Sequence, residues 1–406
     1  MQKNRSSALS IIRYWFGYLH KLNIRDNQKL LKYTVVAVLL LIGVYIRIRL
    51  IPGINGDYTI YISNWYDHLK NNGFAGFKDN FANYNFPYLF LLYIGTLLPI
   101  PKLLIVKLIA IAFDFLLALG VYKLVSIVTK SKTRAIFALL LALFLPTVLV
   151  NAAYWGQTDV IYTSFIVFTL AALFTGHYRI MWLIFGVAIA FKLQAIFFAP
   201  VLAYVWFKKK GVWWAPFITL GAFIALSIPP VFAGKSLKDS LGVYVNQYGF
   251  EPLLSANVPN FYYWLPQNYY EVINGSGVLF AVAITIIITY AAILRMKYNT
   301  NNILFFAMLM AAVIPYILPQ MHDRYFFMLE IFLVILAMVN KKFIVPAIIM
   351  QGVTILVYAK TLFGYKELPF SILAGVVTIL VVFFIYYFVR DHLKIKDINT
   401  DEQILK

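Results

Sequence analysis

The chain has 406 residues, 62% of them hydrophobic and 13% charged, with no cysteine and a formal net charge of +19; its mean hydropathy is +0.79. An apolar share this high, gathered in long runs, excludes a soluble globular enzyme and predicts an all-α polytopic membrane protein. The lack of Cys excludes disulfides and thiol chemistry. The basic residues cluster at the ends of apolar runs, so their charge signals membrane orientation and no nucleic-acid partner.

Residues 1–33 carry Lys3, Arg5, Arg13, Lys21, Arg25, Lys29 and Lys32 around the aromatic stretch IIRYWFGYLHKL. So interrupted, the stretch is no signal-peptide core; it predicts an amphipathic segment on the cytoplasmic leaflet, in contact with membrane lipids. Apolar runs follow at 34–51, 103–127, 134–150, 159–175, 180–207, 211–231, 273–294, 302–318, 325–339, 343–360 and 369–389, each near the ~20 residues that cross a bilayer. They form one integral-membrane domain, 34–390, followed by a cytoplasmic tail, 391–406. Basic flanks at 130–134, 208–210, 295–297, Lys341 and Lys342 mark the cytoplasmic side. All of them fit one topology if 180–207 is a hairpin of two short helices turning back near Lys192. The run 86–98, FPYLFLLYIGTLL, is too short to span and reads as interfacial or re-entrant. About twelve membrane segments result, with amphipathic helices in the first outer loop and both termini inside. Three polar stretches then meet outside, 52–85, 154–159 and 320–324. A second long outer loop, 232–272, is rich in Tyr, Asn and Pro, and its 244–270 part is placed to select an acceptor. There is no internal repeat and no low-complexity linker.

Asp57, in INGDYTIYISNW, follows the first span, and Tyr61 and Trp65 lie at i, i+4 spacing behind it. That pattern suits a surface helix with one aromatic face down. The carboxylate is a candidate general base; the plain alternative is a helix N-cap. Asp67 and Asp79 are the fallback bases. Arg47 and Arg49 sit at the outer end of the first span, either snorkelling to headgroups or binding a lipid phosphate with the guanidinium fork. Lys192 and Gln194 interrupt AIAFKLQAIFF, where a charge costs at least ~2.5 kcal/mol and demands a partner. A substrate phosphate, Asp114 and Asp159 are the candidates. YWGQTD contributes Tyr154, Trp155, Gln157 and Asp159, and QMHDRY contributes His322, Asp323 and Arg324. Aromatic belts account for the rings in these motifs and not for the ionisable triplet. Five His residues without metal-ligand spacing argue for charge stabilisation around a phosphate rather than a metal site. No Walker A, dinucleotide-binding or serine-nucleophile motif occurs, so the substrate must supply the energy and no cofactor is expected.

Taken in order, GDYTIYISNWYDHL, YNFPYLFLLY, FDFLLAL, YWGQTD, FKLQ and QMHDRYFF resemble the GT-C superfamily of polyprenyl-phosphate-sugar glycosyltransferases, in particular bacterial relatives of the second mannosyltransferase of GPI-anchor synthesis. The likeness runs from about residue 34 to 340. It implies a GT-C-like bundle and an inverting hexose transfer from a polyprenyl monophosphate to a glycan, glycolipid or envelope polymer. Asp57 matches the family's first-loop base, and Lys192 with His322, Asp323 and Arg324 would surround the carrier phosphate. FPYL replaces the usual double-proline form, Asp323 stands where the family often has Glu, and the first loop lacks a D-x-D pair, so no metal requirement is implied. The expected setting is the plasma membrane, compatible with a bacterial envelope, with the active site on the extracytoplasmic face. A small flippase and a polyprenyl-phosphate glycosyltransferase would be functional partners. The rival reading is a lipid-linked sugar flippase or transporter, because intramembrane Lys and Asp and broken helices also mark transport pathways. A non-catalytic assembly partner would leave the polar groups on the outer side unexplained.

Overall fold

A computed structural model describes residues 5–209, 213–247, 252–365 and 370–393, with side chains described from Asn27 onward. The chain divides into two compact units, Met1–Arg49 and Leu50–Lys406. The described residues of the first all belong to helix α1, Arg5–Leu50. No proline precedes Pro52, so nothing halts the helix at 33, where an interfacial segment was expected to give way to a span. α1 runs through that point and stops just before the Ile51-Pro52 step, where helical backbone is disfavoured. Its portion Asn27–Leu50 is apolar and long enough to cross a membrane.

The second unit holds α2 (Ser63–Asn72), α3 (Phe86–Thr96), α4 (Lys102–Thr129), α5 (Lys132–Phe144), α6 (Pro146–Leu149), α7 (Asp159–Phe174) and α8 (Tyr178–Phe191). α9 (Ala199–Lys209), α10 (Pro216–Ser227), α11 (Leu237–Leu241), α12 (Tyr270–Arg295), α13 (Thr300–Ile317), α14 (Phe327–Val339), α15 (Ile344–Phe363) and α16 (Phe370–Tyr387) follow. α4 packs between α5 and α7, α7 against α8, and α8 against α10; α13 and α14 pack together, with α14 also touching α4, α5 and α7. The protein is an all-α polytopic membrane protein. Its only described sheet is a two-residue parallel pairing of β1 (Ser255–Ala256) with β2 (Met321–His322).

The expected twelve segments do not all take the form of full spans. Among the described residues seven helices are long and apolar enough to cross a bilayer, or eight if the pair bent by 49° at Leu145 is one span. The bend follows from sequence: Leu145 precedes Pro146 and adopts ψ 124°, outside the helical region. Other apolar runs become short helices, α3 with 11 residues, α14 with 13, α8 with 14 and α7 with 16. At 1.5 Å per residue none of these reaches ~30 Å alone. α7 and α14 are nevertheless enclosed along most of their length. A helix surrounded by protein need not match the hydrocarbon thickness, because its ends meet other polypeptide rather than lipid. α12 is the contrast, with Leu279, Ile286 and Ile287 exposed, as on a lipid-facing surface.

Three local features position the loops between these helices. Helix α8 ends at Lys192, whose backbone is extended (φ −157°, ψ 133°), and a 3-10 turn, Leu193–Phe198, leads into α9. The Lys209 ammonium then lies 4.9 Å from the Tyr178 ring centroid, so α9 has returned to the start of α8 as a hairpin. Asn85, the N-cap of α3, accepts from the Phe86 amide at 2.8 Å and donates to the Ala190 carbonyl and the Ser227 hydroxyl. Buried at 2% exposure, it fastens the first loop to the ends of α8 and α10. Finally, Gln320, at φ +61°, donates its amide to the Leu254 carbonyl, and the β1–β2 pairing continues that link between the second loop and 318–326.

The α8–α10 crossing is close because Gly186 has no side chain. A Cβ there would lie 2.5 Å from the Thr219 carbonyl oxygen and 2.7 Å from the Ala222 Cβ. Overpacking of this kind costs ~1–3 kcal/mol. Gly186→Val is therefore expected to lower the thermal midpoint of the detergent-solubilised protein, whereas Gly221→Ala, where a Cβ meets nothing within 4 Å, should leave it unchanged. Equal midpoints for the two variants would refute the close crossing.

Candidate functional site

Asp57 does not act as an N-cap. Its backbone is already helical (φ −61°, ψ −38°) and its side chain makes no cap bond. Asn55 takes that role, its Oδ1 accepting from the Tyr58 amide at 3.1 Å while its Nδ2 donates to the Trp155 carbonyl at 3.0 Å. The polar residue two positions earlier thus holds the loop, and the Asp57 carboxylate is left to make tertiary contacts. Its Oδ2 accepts from Trp155 Nε1 at 3.0 Å and from Gln157 Nε2, and lies 3.5 Å from Arg324 Nη1. Hydrogen bonds to a carboxylate contribute ~1.5–3 kcal/mol each and orient it firmly. All these contacts fall on Oδ2. No described residue donates to Oδ1, and the carboxylate is 32% exposed.

Trp155 and Gln157 reach Asp57 because the segment Val150–Trp155 winds as a π-helical turn that ends on Gly156 at φ +78°. A positive φ favours glycine, and a Cβ at this point would also approach Val106 Cγ1 to 3.1 Å. Behind this turn Asp159 opens α7 and is fully buried. Its Oδ1 accepts from Lys192 Nζ at 2.6 Å and its Oδ2 from Asn151 Nδ2 at 3.1 Å. Arg324 Nε lies 3.4 Å from the same Oδ2, and Nη1 lies 3.3 Å from Asp323 Oδ1. The guanidinium also stands over the Trp155 ring, 5.1 Å from its centroid. Arg324 therefore faces three carboxylates, Asp57, Asp159 and Asp323, and its Nη2 makes no hydrogen bond to a described residue.

These groups border a cleft of about 600 Å³. It brings together Asp57, Tyr61, Trp65, Trp155, Gln157, Lys192, Gln194, His322, Asp323 and Arg324, all expected from sequence. Other expected residues are placed elsewhere. Asp159 lies beneath the wall as the counter-ion of Lys192 and has no surface for a ligand. Tyr154 is no part of the lining; its ring packs on Gly53 and, at 5.1 Å, on Phe363, and its carbonyl accepts from Lys107. Arg47 and Arg49 belong to the unit Met1–Arg49, where Arg47 is buried and donates to the Gly43 carbonyl at 3.1 Å and Arg49 is exposed. The fallback bases pair away from the cleft, Asp67 with Lys102 at 2.6 Å and Asp79 with His68 at 3.4 Å.

Sequence reasoning missed Tyr84 and Tyr88, which extend the aromatic wall from Trp65 with centroid spacings of 5.2 Å at each step. Both lie in YNFPYLF, where alternating rings before a short apolar helix were the available signal. Gln247 and Asn257 bring the second loop to the cleft, while 248–251 lie outside the described residues. Among the described residues no group of three or more His, Asp or Glu is arranged to hold a metal ion.

The cleft shifts two titrating neighbours in opposite directions. Burial, helped by Arg324 and Lys192, pushes His322 from 6.5 down to about 3. Burial pushes Asp323 from 3.8 up to about 6, against the pull of Arg324. The unfolded chain thus binds the extra His322 proton, so this group's contribution is complete above pH 6.5 and is lost as pH falls towards 3. For Asp323 the folded protein binds the extra proton, so its contribution is complete below pH 3.8 and is lost as pH rises through 6. In the shared window the two slopes oppose each other. When the medium is taken from about pH 6.5 to about pH 4.5, Asp323→Asn should lower the thermal midpoint relative to wild type and His322→Gln should raise it. Changes of the same sign in both variants would contradict these environments. Asp159→Asn, which strands Lys192 without its counter-ion, should cost ~3–5 kcal/mol and appear as a far larger drop in midpoint than Asp67→Asn at the half-exposed Lys102 pair.

No protein-family model matches this chain, and no curated protein matches it by sequence.

Proposed function

We propose that the protein is a membrane glycosyltransferase of the GT-C type that moves a hexose from a polyprenyl monophosphate carrier to an acceptor hydroxyl, with Asp57 as the base. One observation supports this most strongly: Asp57 is held rigidly through Oδ2 while Oδ1 is left without a donor on the cleft. A carboxylate fixed in orientation, with one oxygen available to a ligand, suits proton abstraction.

In the reaction the acceptor hydroxyl approaches C1 of the donor sugar, and its proton passes to Asp57 Oδ1 as the new C1–O bond forms. The bond between C1 and the phosphate oxygen breaks, and its electron pair leaves with the polyprenyl phosphate, which gains one negative charge. Arg324 Nη2 and the remaining Lys192 donors are the cationic groups on the cleft that would meet that charge. Both cations already have carboxylate partners, so they bind phosphate by sharing. Cations already shared with carboxylates hold the ground-state donor loosely and meet the charge that develops on the leaving phosphate in the transition state. His322, held neutral, contributes hydrogen bonding rather than charge. Tyr61 and Tyr84, half-buried on the cleft, offer ring surface to the sugar.

The basic flanks support an extracytoplasmic cleft, with the termini and residues 1–33 on the cytoplasmic side. The acceptor class is a glycan, a glycolipid or an envelope polymer. A small flippase and a polyprenyl-phosphate glycosyltransferase are the partners that would deliver the donor.

Purified protein in proteoliposomes, given a radiolabelled polyprenyl-phosphate hexose and a membrane acceptor fraction, should transfer label. Asp57→Asn, which keeps the side chain's shape, should reduce transfer by ~10²–10⁴-fold, the usual contribution of a general base, without changing the thermal midpoint by more than a few degrees. Wild-type rates in this variant would remove Asp57 from the chemistry. Movement of the labelled lipid between leaflets without sugar transfer would replace the transferase with a transporter.

A further inference from the structure

A second concavity, of about 590 Å³, shares no lining residue with the cleft. It lies at the opposite end of the α8–α9 hairpin, where Tyr178 begins α8 and Lys209 ends α9. The 14 residues of α8 put ~21 Å between this end and Lys192. Its wall is apolar and aromatic, formed by Met181 and Trp182 of α8, Val205 and Trp206 of α9, and Trp214 ahead of α10.

Two cations stand on that wall. The Arg179 guanidinium lies 5.7 Å from the Trp214 ring centroid, and the Lys209 ammonium lies 4.9 Å from that of Tyr178 and 5.6 Å from that of Tyr298. Among the described residues no carboxylate pairs with either. Aromatic faces attract cations but do not neutralise them. The contrast with the cleft is direct, since there Lys192 and Arg324 both have acidic partners.

The wall and its cations together select a ligand. A soluble anion would satisfy Arg179 and Lys209 and leave the tryptophans uncovered; a neutral hydrocarbon would do the reverse. An amphiphile with an anionic head satisfies both, and Trp residues beside cations mark the depth at which lipid headgroups sit. We propose that this pocket binds one anionic glycerophospholipid, with its phosphate between Arg179 and Lys209 and an acyl chain along the Trp206 and Trp214 rings. The lipid bridges the two ends of the hairpin and braces the helix whose far end carries Lys192.

The test is a competition on the full-length protein in detergent. It is offered equal amounts of phosphatidylglycerol and phosphatidylcholine with identical acyl chains, and retained lipid is counted by native mass spectrometry. One phosphatidylglycerol should be retained in preference by roughly 30-fold, in keeping with two basic residues acting on one anionic head. Arg179→Gln with Lys209→Gln should abolish that preference, while Arg179→Lys with Lys209→Arg should keep it. Phosphatidylglycerol should also raise the thermal midpoint of wild type and not of the glutamine variant. Equal retention of the two lipids by wild type overturns the proposal, and so does an unchanged preference in a folded glutamine variant. If that variant does not fold, the wild-type competition decides alone. Retention of a polyprenyl phosphate ahead of phosphatidylglycerol would assign the pocket to the carrier and overturn the phospholipid.

Discussion

The Arg324 guanidinium is where the separate parts of the cleft meet. It lies within 3.5 Å of Asp57, Asp159 and Asp323, on a side chain only 13% exposed. Burial alone would weaken its hold on a proton, yet the three carboxylates raise its pKa well above the ordinary arginine value. In such an enclosed setting the guanidinium would be costly to leave without any carboxylate, and the buried Asp159 and Asp323 keep it paired even when the more exposed Asp57 is neutralised. Asp57 arrives from the first loop, Asp159 from the start of α7, and Asp323 from the segment after α13. Lys192 completes the set through Asp159. The helices around the cleft must therefore be registered so that these charges coincide.

That constraint also explains why the elements nearest the cleft are the least regular. α8 breaks at Lys192, Val150–Trp155 winds as a π-helical turn, and Gln320 takes a positive φ. Each departure turns a polar side chain or an amide towards the cleft. Irregular backbone at membrane depth is tolerable where it lines a cavity and its polar groups find partners. Asn55 and Asn85 supply such partners, each with a side chain that bonds both its own loop and a distant carbonyl. The consequence for chemistry is a carboxylate whose orientation comes from tertiary contacts and whose second oxygen stays available.

Much of this could be read from residue order. Polar interruptions in apolar runs cost too much to be accidental, and the stretches at 57, 192–194 and 322–324 supply every Asp, Lys and Arg on the cleft, with 154–159 adding Trp155 and Gln157. The break at Lys192 followed from basic flanks that had to share one side of the membrane. What could not be read was which member of a motif does what. Asn55 rather than Asp57 takes the cap, and Tyr154 turns outward to Phe363 while its neighbour Trp155 turns inward to Asp57. A one-residue change of direction on a π-helical turn leaves no trace in hydropathy. The expected count of twelve segments met a similar limit, since run length does not reveal whether lipid or protein surrounds a helix.

By itself the sequence determined an all-α membrane protein, the helix break at Lys192 and the inventory of charges left in an apolar chain. Those properties follow from local composition, from basic flanks and from the cost of placing a charge in hydrocarbon. The tertiary structure alone decided the pairing: Lys192 with Asp159 rather than Asp114, Arg324 among three carboxylates, and Asp57 fastened by one oxygen. Pairing depends on the distance between groups as many as 267 positions apart in the chain, Asp57 and Arg324, and only the packing of α4, α7, α8 and α14 sets that distance.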